Sequence, residues 1–309
     1  MASLWKWWAG ALVLLLVVWF GAGWYLSGQF LTLGIADYTP AQEQELLRSL
    51  GLEGEPREDV IIHSGEVALA GSWFAHPSPG DCAVILLPGI GGHRTQVLPA
   101  LPLFSALGCH VLAYDPRGTG ASSRVLRTFG YREAQDNLAA VQWIQTQTGL
   151  GRERIGVWGP SFGAAVGLLT LREADDLAFI IADSTFSSLR QVTFDTIALL
   201  SDETFATLFN DLILFFLELR TGMVVDDVDP TEVVRATNTP ILLIHAVEDP
   251  AMDVSHSRRV HGVIEGQNGR LVETDWGAGH ADSALVDPEA YRAIVHTFLA
   301  ELGFARPAA

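Results

Sequence analysis

Gly159-Pro160-Ser161-Phe162-Gly163 joins two stretches of different character. Before it, 154–158 is a short apolar run of strand type; after it, 164–171 reads as a helix. A G-x-S-x-G at a strand-to-helix junction takes the chain through so sharp a turn that the serine adopts strained backbone angles and lifts its hydroxyl above the sheet. Glycines two before and two after the serine meet a steric need, because strand and helix approach too closely there for larger side chains. Without its surroundings the pentapeptide is an ordinary glycine-rich loop, so the flanking sequence has to decide.

The flanks repeat one pattern. Strand patterns occur at 59–63 and 67–75, and continuous apolar runs follow at 83–87, 109–114, 154–158, 178–182 and 241–246, with a last strand at 270–274. Helical stretches lie between them: 95–107, which Pro99 and Pro102 must shorten; 132–146, with Leu138, Val141 and Ile144 on one face; 164–171; and the terminal 291–302. Unbroken apolar strands alternating with helices imply a mostly parallel central sheet covered by helices on both faces, an α/β fold. With 309 residues the chain holds one such domain, expected over 59–309. The segment 186–239 breaks the alternation with an apolar helical stretch, 205–219, and no strand signal. It reads as a small helical cap; a longer crossover covering the sheet is the alternative.

The N-terminal part is different. No charged side chain occurs from Trp7 to Ala36, and 9–26 is strongly apolar. Aromatics mark both ends: Trp5, Trp7 and Trp8 before it, Trp24 and Tyr25 after it. A helix from Trp8 to Trp24 rises roughly 24 Å, near the separation of two interfacial belts. Residues 1–36 are therefore read as a transmembrane anchor. The competing reading is a signal peptide cleaved near Gly21-Ala22-Gly23, although the apolar run continues past that site. Residues 37–58, with Pro40, Gly51, Gly54 and Pro56, read as a linker carrying a short helix at 41–50. Lys6 precedes the span and Asp37, Glu43 and Glu45 follow it, so the positive-inside rule places the N-terminus in the cytoplasm and the main domain on the extracytoplasmic side. A formal net charge of -17 argues against nucleic acid as a partner and against electrostatic attachment to anionic lipid. Cys82 and Cys109 lie in apolar surroundings and read as small hydrophobic filler; the sequence leaves a disulfide between them open and gives no metal-binding spacing.

A serine hydroxyl is a weak nucleophile and needs a base, which in turn needs an orienting acid. Both follow the pentapeptide at strand ends. His245-Ala246-Val247-Glu248-Asp249 closes one apolar strand, and Gly277-Ala278-Gly279-His280 follows the next. The carboxyl ends of parallel strands face the ligand crevice, so Ser161, Asp249 and His280 can meet there. Glu248, Asp253 and above all Asp183 are rivals for the acid, whereas His256 and His261 are expected on one helix, away from this role. Stabilising an oxyanion needs the N–H after the serine, that of Phe162, and a second from the loop Leu86-Leu87-Pro88-Gly89-Ile90-Gly91-Gly92, where Ile90 is the natural donor. A phosphate-binding loop is the alternative for that segment, but it has neither a lysine nor a G-x-G-x-x-G entering a helix.

On these residues the chain resembles the α/β-hydrolase superfamily, near its membrane-associated Bem46-like group of serine hydrolases. The resemblance spans roughly 59–302 and rests on the Leu86-Leu87-Pro88-Gly89 loop, Asp115-Pro116-Arg117-Gly118-Thr119-Gly120-Ala121-Ser122, the pentapeptide, Asp183-Ser184-Thr185-Phe186, His245 to Asp249, and Gly279-His280. It implies Ser161 as nucleophile, Asp249 as acid and His280 as base, with no metal or organic cofactor. Pro88-Gly89 and His245-Ala246 stand where the family usually has His-Gly. Arg117 is expected to pair with Asp115 as scaffold beneath the site. The expected activity is cleavage of carboxylic esters or thioesters with a lipid-like acyl group. Peptidase or amidase activity on the same residues, and a catalytically inactive membrane-tethered binding module suggested by Pro88, are the alternatives.

Overall fold

The computed structural model describes residues 4–35, 39–52, 57–77 and 81–304. Asp37 at the start of the expected linker, Gly54 and Pro56 within it, and the Lys6 side chain behind the expected orientation lie outside the described residues. Eight strands form one sheet: β1 Arg57–Ser64, β2 Val67–Phe74, β3 Ala83–Leu86, β4 His110–Tyr114, β5 Ile155–Pro160, β6 Phe179–Asp183, β7 Ile241–Ala246 and β8 Gly269–Thr274. Their spatial order is β1-β2-β4-β3-β5-β6-β7-β8. β2 runs antiparallel to β1 and β4, and every other pairing is parallel.

The helices are α1 Leu4–Thr32, α2 Pro40–Ser49, α3 Leu101–Ser105, α4 Glu133–Thr148, α5 Phe162–Thr170, α6 Leu189–Leu200, α7 Glu203–Thr221, α8 Pro230–Val234, α9 Ser255–His261, α10 Ser283–Val286 and α11 Pro288–Glu301. Prolines divide the stretch expected as one helix at 95–107. Arg94–Ala100 winds as a tighter 3₁₀ helix around Pro99, and α3 starts anew with Pro102 in its first turn, where a missing N–H costs nothing. Strand alternation then builds two cores. Ala83 and Ile85 point to the side covered by α4 and α5, while Val84 and Leu86 point to the side covered by α3 and α11. Between β6 and β7 lie α6, α7 and α8, with no strand. α6 and α7 are capped by the Ser188 and Asp202 side chains, which accept from the Gln191 and Phe205 N–H groups.

Two expectations are corrected here. Cys82 and Cys109 are not filler but form a disulfide, buried at the start of β3 and just before β4. The pairing follows from register: Ala83 lies beside His110 in a parallel ladder, which brings the preceding residues to a Cα separation of 4.7 Å. Arg117 does not pair with Asp115. It grips Asp136 of α4 through two hydrogen bonds of 2.7 and 2.6 Å, and Asp115 instead holds Arg94 by its backbone N–H and guanidinium, both at 2.7 Å.

The two N-terminal helices dock on this frame. α2 is amphipathic; it buries Leu47 in the second core and its buried Glu43 ion-pairs with Arg57 at 2.8 Å. α1 is long and apolar enough to cross a membrane over Trp7–Thr32, with a mean hydropathy of 2.0. Its second half packs along α7, with Trp19 against Phe209 and both Phe20 and Trp24 edge-on to Phe216.

Candidate active site

Ser161 sits between β5 and α5 at φ 53° and ψ -118°, a left-handed backbone that costs a side-chain-bearing residue free energy. Its N–H is fastened to the Asp183 carbonyl at 2.7 Å, so the turn is tied to the end of the neighbouring strand. The two glycines are there for space. A Cβ on Gly159 would come within 2.7 Å of the Gly163 backbone, and one on Gly163 would overlap the Leu87 carbonyl. Among the described residues, four non-glycine residues have positive φ: Phe129, Ser161, Ser184 and Ala281. Ser184 and Ala281 directly follow Asp183 and His280, and Phe129 lines the same cavity as Ser161. Strain is therefore concentrated around one crevice.

The loops after β7 and β8 bring the other two residues in. The Ser161 hydroxyl donates to His280 Nε2 at 2.8 Å, and His280 Nδ1–H donates to Asp249 Oδ2 at 2.7 Å. The other oxygen of Asp249 accepts the Ala251 and Met252 N–H groups, each at 2.9 Å. Burial alone would raise the Asp249 pKa; the neighbouring His245 ring, 3.4 Å away, and the hydrogen bond from His280 outweigh it and hold the carboxyl well below the usual range. Asp249 is thus an anion facing an imidazole. Glu248 and Asp253 are exposed. His256 is buried on α9, which also carries His261, and its Nδ1 lies 2.9 Å from the Ser187 hydroxyl.

Asp183 lies under the serine turn, away from His280 Nδ1. Burial pushes its carboxyl up to about 6, against the lowering effect of the neighbouring Tyr291 hydroxyl and of the Ser184 hydroxyl, which donates to it at 3.1 Å. Its folded pKa is above the unfolded value near 3.9, so the native state binds this proton more tightly, and stability declines as pH rises from about 4 to 6. Relative to wild type, Asp183→Asn is expected to gain stability over that window, by up to roughly 3 kcal/mol for a shift of about two pH units. Urea unfolding at pH 4 and pH 7 checks this; a pH-independent difference would contradict it.

Phe162 opens α5, where the first N–H groups have no intrahelical acceptor, and half-buried Ile90 begins the turn closed by Gly92 N–H donating to the Gly89 carbonyl at 3.1 Å. Ser161, His280, Ile90 and Phe162 all line one apolar cavity of about 280 Å³. Its other walls include residues 189–200 of α6, Phe30 of α1, Leu33 just past it, and Phe129, Phe186 and Met252.

Sequence reasoning missed two contributors. Buried His245 donates from Nε2 to the Met252 carbonyl at 2.8 Å, accepts the Ser257 hydroxyl at 2.7 Å, and lies 3.4 Å from Asp249, so it braces the acid loop. Its position at a strand end four residues before Asp249, in the His245-Ala246 pair that stands where the family usually has His-Gly, is the signal the sequence carries for that role. Phe30 and Leu33 of the N-terminal segment line the cavity, which no local pattern reveals.

Known proteins share this fold. The Pyrococcus furiosus esterase Pf2001 superposes with a TM-score of 0.65 at 26% identity, covering 86% of this chain and 97% of that one. YqkD of Bacillus subtilis (strain 168) is 29% identical over 72% of this chain and 73% of its own length. The lysophosphatidylserine lipase ABHD12 of Macaca fascicularis is 26% identical over 74% of this chain, and the match spans 59% of that lipase. The fold and these likenesses define an α/β-hydrolase. Within that superfamily, residues 96–303 match the prolyl oligopeptidase family of peptidases, and the chain belongs to that family.

Proposed function

We propose that the protein is a membrane-anchored serine hydrolase of the Bem46-like kind, cleaving carboxylic esters or thioesters through an acyl-enzyme on Ser161. The observation that carries this reading is the continuous Ser161–His280–Asp249 hydrogen-bond chain at the mouth of an apolar cavity. His280 Nε2 takes the hydroxyl proton as Ser161 Oγ attacks the carbonyl carbon, and the new oxyanion is held by the Phe162 and Ile90 N–H groups. The imidazolium passes its proton to the leaving alcohol or thiol as the carbon–heteroatom bond breaks. Water then repeats the sequence on the acyl-enzyme, giving a carboxylic acid and restoring Ser161. Asp249 keeps the proton on Nδ1 so that Nε2 remains the base. A fluorophosphonate probe tests the reading: wild type is expected to be labelled and Ser161→Ala not, and equal labelling of the two would end it.

Amide cleavage is the second reading, favoured by the peptidase family match. The apolar character of the cavity favours the acyl ester. Matched ester and anilide substrates of the same acid separate the two.

Residues 1–36 are proposed as a retained anchor, 37–58 as a linker that includes the docked α2, and 186–239 as the helical cap of a hydrolase domain over 59–309. Cleavage near Gly23 would discard Trp19 and Phe20, which pack on α7, and this supports retention. The disulfide supports a hydrolase domain on the extracytoplasmic side with the N-terminus in the cytoplasm, since such bonds persist in oxidising compartments. In intact cells, a thiol-reactive mass tag is expected to leave Cys82 and Cys109 unmodified until reductant is added. Modification without reductant would overturn the placement.

A further inference from the structure

The last turns of α1 are held against the crevice at several points. Arg220 donates to the Trp24 carbonyl at 2.8 Å and lies 4.4 Å from the centre of that residue's ring. Buried Arg127 donates to the Leu31 carbonyl at 2.8 Å, which satisfies one of the acceptors a helix end leaves open. Beyond the helix, Gly34 meets the turn that carries Ile90. A Cβ on Gly91 would overlap the Gly34 carbonyl, and a Cβ on Gly34 would lie 3.0 Å from the Ile90 carbonyl. Both glycines have positive φ, 69° and 68°, so this close backbone approach is open to glycine and strained for other residues.

This docking gives Phe30 and Leu33 a place in the cavity. They line the same space as Ser161 and His280, together with Val192, Thr196, Leu199 and Leu200 of α6. From Leu189 to Leu200 the helix rises roughly 16 Å, so the cavity wall it supplies has the length of a long acyl chain. Arg127 and Arg220 engage α1 carbonyls, leaving the space between α1 and α6 apolar.

We propose that Phe30, on the last turn of α1, and Leu33, just past its end, are specificity-determining residues that form one wall of an acyl-chain channel and select long, unbranched acyl groups. The proposal rests on the serine hydrolase reading for its substrate, but the channel can be measured without catalysis. In full-length protein, Leu33→Trp is expected to lower the laurate-to-butyrate ratio of kcat/KM on p-nitrophenyl esters at least tenfold, and Leu33→Ala to raise turnover of branched acyl esters relative to laurate. Leu12→Trp, on the part of α1 clear of the domain, is expected to leave the ratio at the wild-type value. A ratio unchanged in both Leu33 variants overturns the proposal. If wild type neither turns over esters nor reacts with fluorophosphonate, the hydrolase reading fails, and the channel is then decided by displacement of a fluorescent long-chain fatty acid from Ser161→Ala. Weaker binding when Leu33→Trp is added supports the channel; unchanged binding overturns it.

Discussion

His280→Ala is expected to reduce ester turnover on the order of a millionfold, the loss seen when a serine–histidine pair is broken at either member. At about 1.4 kcal/mol per tenfold, this is roughly 8 kcal/mol of transition-state stabilisation. The size of the effect depends on the absence of a substitute base. His93, His245 and His256 are the other buried histidines, and all are committed: His93 to Thr95, His245 to Met252 and Ser257, His256 to Ser187 and Asp195. None of these rings can turn toward Ser161 without abandoning its partners. His280 itself is partly exposed in a loop, so its removal leaves the core intact and thermal unfolding should change little. The double variant Ser161→Ala, His280→Ala is expected to be no worse than either single one, because the two act as a unit. Turnover within tenfold of wild type in His280→Ala would exclude the proposed base.

The sheet was readable because its central strands are buried on both faces and appear as unbroken apolar runs, as in 241–246, where every residue is buried. Ser161, His280 and Asp249 were readable because topology fixes which strand ends face the crevice, and each of the three follows such an end. What escaped depends on pairing in three dimensions. The Cys82–Cys109 bond follows from the β3–β4 register, and the partner of Arg117 from the position of α4, neither of which is a local pattern. The docking of α1 was hidden for another reason. A helix that is apolar on every side has no stripe to show which face meets protein and which meets lipid. Nothing in the sequence sets Trp19, Phe20 and Phe30 apart from their apolar neighbours, although the first two pack on α7 and the third lines the cavity.

Asp249→Asn is expected to lower kcat about ten-thousandfold with little change in KM. The direction follows from the hydrogen bonds around the carboxylate. Oδ1 accepts two backbone N–H groups, from Ala251 and Met252. An asparagine at this position must keep its carbonyl oxygen there, since turning the amide would set its NH2 against two donors. The NH2 then faces His280 Nδ1, which can only respond by accepting. The imidazole proton moves to Nε2, the nitrogen that must receive the Ser161 proton, and the serine loses its base while every atom stays in place. The same NH2 also faces His245 Nε2–H across the former 3.4 Å contact, a donor against a donor, so a modest loss of stability accompanies the loss of rate. Asp183→Asn provides the contrast, because its side chain accepts from Ser184 and makes no bond to His280 Nδ1. Its turnover is expected to fall at most tenfold. Steady-state kinetics on the two variants, with fluorophosphonate labelling rates as a second measure, decide between the carboxylates, and a greater loss at Asp183 would transfer the acid's role to it.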